Sequence, residues 1–196
     1  PILNAVLPNG VRAETLNIRQ PSYQFQYQSL IDHALTRDQT LRVSFQGGRQ
    51  KRENQGIGNY NLPERGFSQR QEMNNIRVQE AGPIGRRTFI NTRVSYQWVD
   101  LDMRSNVDAP TVVVVDAFSA GGSQQRQRAD VSFLSVASDV DYVRGIHSWR
   151  GGVQVDNNWF RASSAFNYLG TYTFSSLDAY NRGDPTLYTQ SLGAPE

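Results

Sequence analysis

Residues 90–98 place Ile90, Thr92, Val94, Tyr96 and Trp98 on one side of an extended chain, and Asn91, Arg93, Ser95 and Gln97 on the other. Successive side chains of a strand point to opposite faces, so a polarity period of two marks a sheet with one apolar and one wet face. The same period recurs five more times. Tyr23, Phe25, Tyr27 and Ile31 alternate with Gln24, Gln26, Gln28 and Asp32, and Leu41, Val43 and Phe45 with Arg42, Ser44 and Gln46. Ile76 and Val78 alternate with Arg77 and Gln79, and Leu134, Val136, Val140 and Tyr142 with Ser135, Ala137, Asp139 and Asp141. Trp149, Val153 and Val155 alternate with Ser148, Arg150 and Gln154. Amphipathic helices of ordinary length are absent from this pattern.

The connections between these strands alternate in length. Short links are expected around 35–38, at 81–85 (AGPIG, with glycines and Pro83 supplying turn geometry) and at 144–147 (RGIH). Long polar stretches lie between them, at roughly 47–71, 103–125 and 156–185. Outer-membrane barrels have short periplasmic turns and long extracellular loops. Tyr142 and Trp149 flank one short turn, and Tyr96 and Trp98 lie at the far end of their strand, as interfacial aromatic belts require.

Composition bears on this reading in two places. The hydrophobic fraction is 38% and aromatics make up 11%, which suits strands that bury only alternate residues. The longest obvious apolar run, 112–115, is far short of the ~20 residues of a membrane helix. The absence of cysteine removes disulfides, thiolate metal sites and cysteine nucleophiles together. A formal charge of +2 gives no basic footprint for nucleic acid. No signal peptide opens the chain.

The expected fold is therefore all-β: an antiparallel up-and-down transmembrane barrel segment of six strands, with a possible seventh at 186–191. Six or seven strands are fewer than the ~8 a closed bacterial barrel needs, so 1–196 is expected to be one part of a larger barrel domain. Residues 1–19 form an uncertain lead-in and 156–185 a long extracellular loop. Within that loop, Ser175 is expected to cap a one-turn helix with Asp178 at the third helical position. Gly183 and Pro185 would end the helix, and 170–174 would extend the sheet.

The stretch GIHSWRGGVQV (145–155), followed by FNYLGTYTFSSLDAYNRGDPTLYTQSLGAP (166–195), resembles the barrel of TonB-dependent outer-membrane receptors. The closest subgroup carries a carboxypeptidase-regulatory-like domain ahead of the plug. The residues that carry the resemblance are Gly145, His147, Trp149, Arg150 and Gly152, then Gly170, Phe174, Ser175, Ser176, Leu177, Tyr180, Gly183 and Pro185. Residues 116–125 (DAFSAGGSQQ) resemble the loop before the preceding strand. The resemblance covers 116–195, while 20–104 is compatible in strand pattern. It implies a transporter of about 22 strands, filled by a plug and driven by the TonB complex. It further implies a place in the outer membrane of a Gram-negative-type bacterium and uptake of an oligosaccharide, a peptide or a metal chelate. The plug, the TonB-contact segment, the regulatory-like domain and the aromatic barrel terminus are not in this sequence.

In that reading Asn91, Arg93, Gln97, Asp139, Asp141, Arg150 and Gln154 line the lumen. Trp159, Tyr168 and Tyr172 are the candidate ligand contacts, because loop aromatics can stack on sugars and other ligands. Outer-membrane lipid, the TonB complex and an unknown transported ligand are the expected partners, and nucleic acid is not. No catalytic, cofactor or metal motif emerges. His33 and His147 lack metal-helix spacing, and Asp139 with Asp141, like Asp100 with Asp102, reads as solvated acid rather than a catalytic pair. The basic run 47–53 (GGRQKRE) reads as a solvated loop, or as a contact for anionic lipopolysaccharide. The alternative is a soluble secreted all-β carbohydrate-binding module with Trp159 and Tyr172 as platforms. There the face of Ile90, Val94, Tyr96 and Trp98 packs on a second sheet.

Overall fold

The computed structural model describes residues 1–192, without the side chains of Arg12 and Glu14. In chain order the strands are β1 (Ile2–Leu7), β2 (Gly10–Thr15), β3 (Ser22–Ala34), β4 (Thr40–Gln55), β5 (Phe67–Ile84) and β6 (Thr88–Ser105). They continue as β7 (Thr111–Val114), β8 (Phe118–Gly121), β9 (Gln127–Arg144), β10 (His147–Ser164), β11 (Thr171–Phe174) and β12 (Leu187–Thr189). One helix, α1 (Leu177–Arg182), precedes β12, and a 3-10 turn covers Pro63–Arg65. The protein is all-β, and its sheets are antiparallel apart from the parallel β7–β11 pair.

The six alternating segments form one sheet in the order β10-β9-β6-β5-β4-β3. It is not closed: β3 and β10 are open edges. The strands are longer than their sequence pattern predicts. β4 runs to Gln55 and β5 begins at Phe67, so the loop expected over 47–71 is mostly ladder. β10 likewise continues to Ser164, nine residues into the loop expected to begin at 156. Pro83 also lies in β5 rather than in a turn, opposite Phe89 close to the strand end, where a missing N–H costs little.

The lower ends of the three hairpins are staggered. The last pair of the first hairpin, Ala34–Thr40, is in register with Ala81, Asn91, Asp139 and Gly152 across the sheet. The second hairpin continues past that row to Ile84–Thr88 and the third further still, to Arg144–His147. A progressive stagger of this kind is the shear that tilted strands require. The turn at the first hairpin folds back over Gly82, where a Cβ would lie 2.9 Å from Gln39 Cα. Glycine is the one residue that fits there.

At the other end of the sheet the connections assemble into a cap. β1 and β2 form a hairpin, so the lead-in is an integral part of the structure. A second sheet, β12-β11-β7-β8, takes in the segment expected as a seventh strand, which joins this small sheet and not the large one. The 170–174 extension does the same: as β11 it pairs with β7 and β12. Ser176, not Ser175, caps α1, its Oγ accepting from Ala179 N at 3.2 Å, which puts Asp178 at the second helical position. Gly183 ends the helix in the left-handed region at φ 69°. Residues 193–195, the last of the 166–195 stretch, lie outside the described residues.

The apolar core is confined almost wholly to this cap. Leu3, Ala5, Leu16, Ile57, Val114, Ala117, Phe118, Phe174 and Ala179 are buried together. Tyr180 packs edge-on against both Phe118 and Phe174, with ring centroids 5.3 Å apart in each case. The large sheet keeps its apolar side chains exposed: Phe25 at 65%, Val153 at 65%, Val155 at 63%. Among the described residues no helix is long and apolar enough to cross a membrane, which says nothing of strands.

Candidate functional site: a two-faced wall

Directly opposed residues in an antiparallel ladder share a face. One such row is β-branched from edge to edge: Ile31, Val43, Val78, Val94, Val136 and Val155. The row toward the cap holds Ser29, Phe45, Ile76, Tyr96, Leu134 and Asn157, and the next holds Tyr27, Gly47, Asn74, Trp98, Ser132 and Trp159. Below the β-branched row come His33, Leu41, Glu80, Thr92, Ser138 and Val153, then Gly82, Ile90, Val140 and Gly151, then Thr88, Tyr142 and Trp149. Glu80 is the one carboxylate in this band.

Aromatic rings bound the band at both ends. Phe25, Tyr27, Phe45, Trp98 and Tyr96 form a continuous ribbon over β3, β4 and β6, with successive centroids 5.8, 5.6, 6.2 and 5.6 Å apart. Tyr142 and Trp149 stand opposite each other at the lower end. From Trp98 down to Thr88 the strand covers ten residues, about 34 Å at ~3.4 Å each. Tilted by about 40°, that is roughly 26 Å of height, matching the ~25 Å apolar belt of outer-membrane barrels.

The other face of the same strands is polar. Asn91, Arg93, Gln97, Asp139, Asp141, Arg150 and Gln154 all lie on it, in register with Asp32, Arg42, Gln46, Gln79 and Arg77 in the same or adjacent rows. Six of its charges are paired: Arg93 Nη2 to Asp139 Oδ2 at 2.6 Å, Arg150 Nη2 to Asp141 Oδ2 at 2.8 Å, and Arg42 Nε to Asp32 Oδ1 at 2.7 Å. Gln79 donates to Asn91 at 2.9 Å. Asp139 and Asp141 thus each hold their own arginine, the geometry of a structural ion-pair row and not of two carboxyls sharing a substrate. Among the described residues no cluster of His, Cys, Asp or Glu is placed to hold a metal ion.

Toward the cap the polarity of the two faces exchanges. Above the Trp98 row the formerly apolar face carries Arg49, Glu72, Asp100, Asp130 and Arg161, then Lys51, Arg70, Asp102 and Arg128. The formerly polar face carries Met73, Val99, Val131 and Phe160 in one row, with Leu101, Ala129 and Ala162 in the next. Sequence reasoning missed this second apolar patch. Its signal is the phase change of the alternation at Trp98–Val99.

The aromatic ligand candidates do not converge. Trp159 is in β10, not in a loop, and stands level with Trp98 and Tyr27 on the apolar face. Tyr172 belongs to the cap sheet, where its ring meets Tyr188, missed in the sequence, at a centroid distance of 4.7 Å. The Tyr168 carbonyl accepts from Gln190 Nε2 at 2.8 Å, and Tyr188 donates to Gln190 Oε1 at 2.9 Å. Tyr168, Tyr172 and Tyr188 therefore share one corner of the cap, apart from Trp159.

A buried polar latch ties the cap segments together. Gln124 is 7% exposed. It donates to Thr111 Oγ1 at 3.0 Å and to the Gly170 carbonyl at 2.7 Å, and accepts from Leu169 N at 2.8 Å. Arg65 Nη1 donates to Thr111 Oγ1 at 2.8 Å and to the Gly122 carbonyl. Burial lowers the Arg65 pKa from its ordinary guanidinium value, and the neighbouring Glu64 opposes that shift. No family model, curated protein or solved structure matches this chain.

Proposed function

We propose that this chain is a section of the wall of an outer-membrane β-barrel of the TonB-dependent receptor type. The observation that carries the membrane reading is the complete row Ile31–Val43–Val78–Val94–Val136–Val155, bounded by aromatic residues and backed by a polar face. Water on both sides of such a sheet would leave the apolar face without a driving force to form. The open backbone edges of β3 and β10 cannot stand in lipid, so further strands complete the barrel. The receptor type rests separately on the resemblance of 116–195. In this reading the polar face lines the import path, the cap faces outward, and Tyr168, Tyr172 and Tyr188 contribute to ligand capture. Energy for import arrives from the inner membrane through a plug.

The alternative, a soluble carbohydrate-binding module, draws on the Tyr172–Tyr188 pair. It needs a second sheet over Ile90, Val94, Tyr96 and Trp98, whereas Tyr96 is 37% and Val94 38% exposed. The barrel reading is favoured on that ground. The chain has no cysteine of its own, so single cysteines introduced into it, in a full-length background cleared of any other cysteine, can carry a spin label cleanly. Labels at Val78, Val94 and Val136 should collide with oxygen, and labels at Gln79, Arg93 and Ser135 with a water-soluble nickel chelate. Equal access of both sets to the chelate would sink the membrane reading.

A further inference from the structure

We infer that Arg49, Lys51 and Arg70, with Tyr23 and Phe25, form a docking site for a phosphate-bearing lipid headgroup in the outer leaflet. The inference rests on the membrane reading, because the aromatic ribbon is what sets the height of this corner. Phe25 belongs to that ribbon and lies directly opposite Arg49, while Tyr23 lies directly opposite Lys51 and Lys51 opposite Arg70. All five side chains lie on the face that is apolar further down. The cations therefore stand immediately beyond the level where ring and acyl chain meet, at the depth of headgroup phosphates.

The electrostatics of the corner are set by shared carboxylates. Arg49 Nη2 reaches Glu72 Oε2 at 2.9 Å, and Arg70 Nη2 reaches the same oxygen at 3.4 Å. Lys51 pairs with Glu53. Within β3–β5 three cations thus face two carboxylates, one of which gathers both guanidiniums onto a single atom, and on β6 Asp102 stands directly opposite Arg70 and Asp100 opposite Glu72. The two arginine side chains remain 55% exposed and the lysine 52%, so most of their donors face outward. A phosphate accepts such donors in the geometry that a guanidinium fork offers. Tyr23 and Phe25, 61% and 65% exposed, supply the apolar flank an acyl chain would lie against. The corner is distinctive within the sheet: the same two rows on β6 hold Asp100 and Asp102, and on β9 Asp130 with Arg128. The basic run 47–53 is thereby divided by the pleat. Arg49 and Lys51 face lipid while Gln50 and Arg52 face the other way.

The test reconstitutes the full-length protein into phosphatidylcholine vesicles containing about one-tenth phosphatidic acid, whose headgroup is a phosphate monoester. Lipid retained after detergent extraction is read by native mass spectrometry. Phosphatidic acid should be enriched about tenfold over its share of the vesicle. The triple substitution Arg49→Gln, Lys51→Gln, Arg70→Gln should abolish the enrichment, while Arg104→Gln with Arg128→Gln should leave it intact. Glu72→Gln, which keeps every cation and removes the shared carboxylate, should raise it. Insertion without enrichment, or enrichment that the triple variant keeps or that Glu72→Gln lowers, overturns the docking site and leaves the barrel standing. Failure of the unmodified protein to insert overturns the membrane reading beneath it.

Discussion

Tyr27 reaches over Gly47 and donates its hydroxyl hydrogen to Oδ1 of Asn74, two strands away. The bond leaves Asn74 only 3% exposed in the middle of the aromatic row. It also explains the glycine. A Cβ at Gly47 would lie 2.7 Å from the Tyr27 hydroxyl oxygen and 2.8 Å from its ring, so any side chain there pushes the tyrosine off. Gly47→Val should cost about 1–3 kcal/mol through overpacking. Tyr27→Phe should cost a similar amount, about 1–3 kcal/mol, by leaving a buried amide oxygen unpaired. Both are measurable as a lowered denaturant midpoint for the full-length protein in lipid vesicles. The double variant Tyr27→Phe, Asn74→Leu should recover much of the loss, because it removes both partners together.

Val136 and Ser135 are neighbours in the chain and opposite in environment. Val136 sits in the centre of the β-branched row, and Ser135 in the polar row that also holds Ser95 and Asp156. On the proposed membrane reading Val136→Arg should destabilise the assembled barrel by about 2–4 kcal/mol, the cost of a cation at mid-bilayer on the lipid face. Ser135→Arg should be near neutral. The folded fraction, read from the mobility of unheated samples on denaturing gels, separates the two. Equal tolerance of both would mean that water lies on both sides.

The six strands of the large sheet and their order were legible because the residues of the apolar band keep one phase of alternation from Thr88 to Trp98 and from Ser132 to Tyr142. Their lengths were not legible. Above Trp98 the phase reverses, so Arg49, Glu72 and Asp100 stand on the face that is apolar lower down and Val99, Leu101 and Val131 on the opposite one, and a strand crossing that boundary reads as a polar loop. The cap was harder still. Its core draws Leu3, Leu16, Ile57, Val114 and Phe174 from separate segments of the chain, each giving one or two apolar residues with no period to detect. The seven polar-face residues were found because they share the legible phase. The tyrosine corner was half found, because Tyr188 lies on a three-residue strand too short to show alternation.

Gln124, in the connection between β6 and β9, ties it to the segment after β10 through hydrogen bonds with Gly170 and Leu169, and is itself held by Thr111. Gln124→Ala would leave the Gly170 carbonyl and the Leu169 amide without that partner, at about 1–3 kcal/mol for the buried groups. The expected result is local. Amide exchange of Thr111, Leu169 and Gly170 should accelerate by roughly ten- to a hundredfold, while the amides of Val94 and Val136 keep their protection. Uniform acceleration across β6 and β9 would show that cap and wall unfold as one unit.

The helix α1 is held at its two ends by different devices. Ser176 Oγ accepts from Ala179 N, and Gly183, in the left-handed region, donates its N–H to the Tyr180 carbonyl at 2.9 Å. Asp184 N closes the same end on the Ala179 carbonyl at 3.0 Å. Six residues are too few to persist without such ends and without the packing of Tyr180 on Phe118 and Phe174. Ser176→Ala should cost about 1 kcal/mol, and Gly183→Ala about as much through the strain of a Cβ at positive φ. Ser176→Asp should restore the cap and add the favourable interaction of a negative charge with the helix start. Protection of the Ala179 and Tyr180 amides from exchange ranks the variants: Ser176→Asp level with the unmodified chain, Ser176→Ala and Gly183→Ala about fivefold less protected. Equal protection in all four would mean that the Tyr180 contacts alone keep this turn in place.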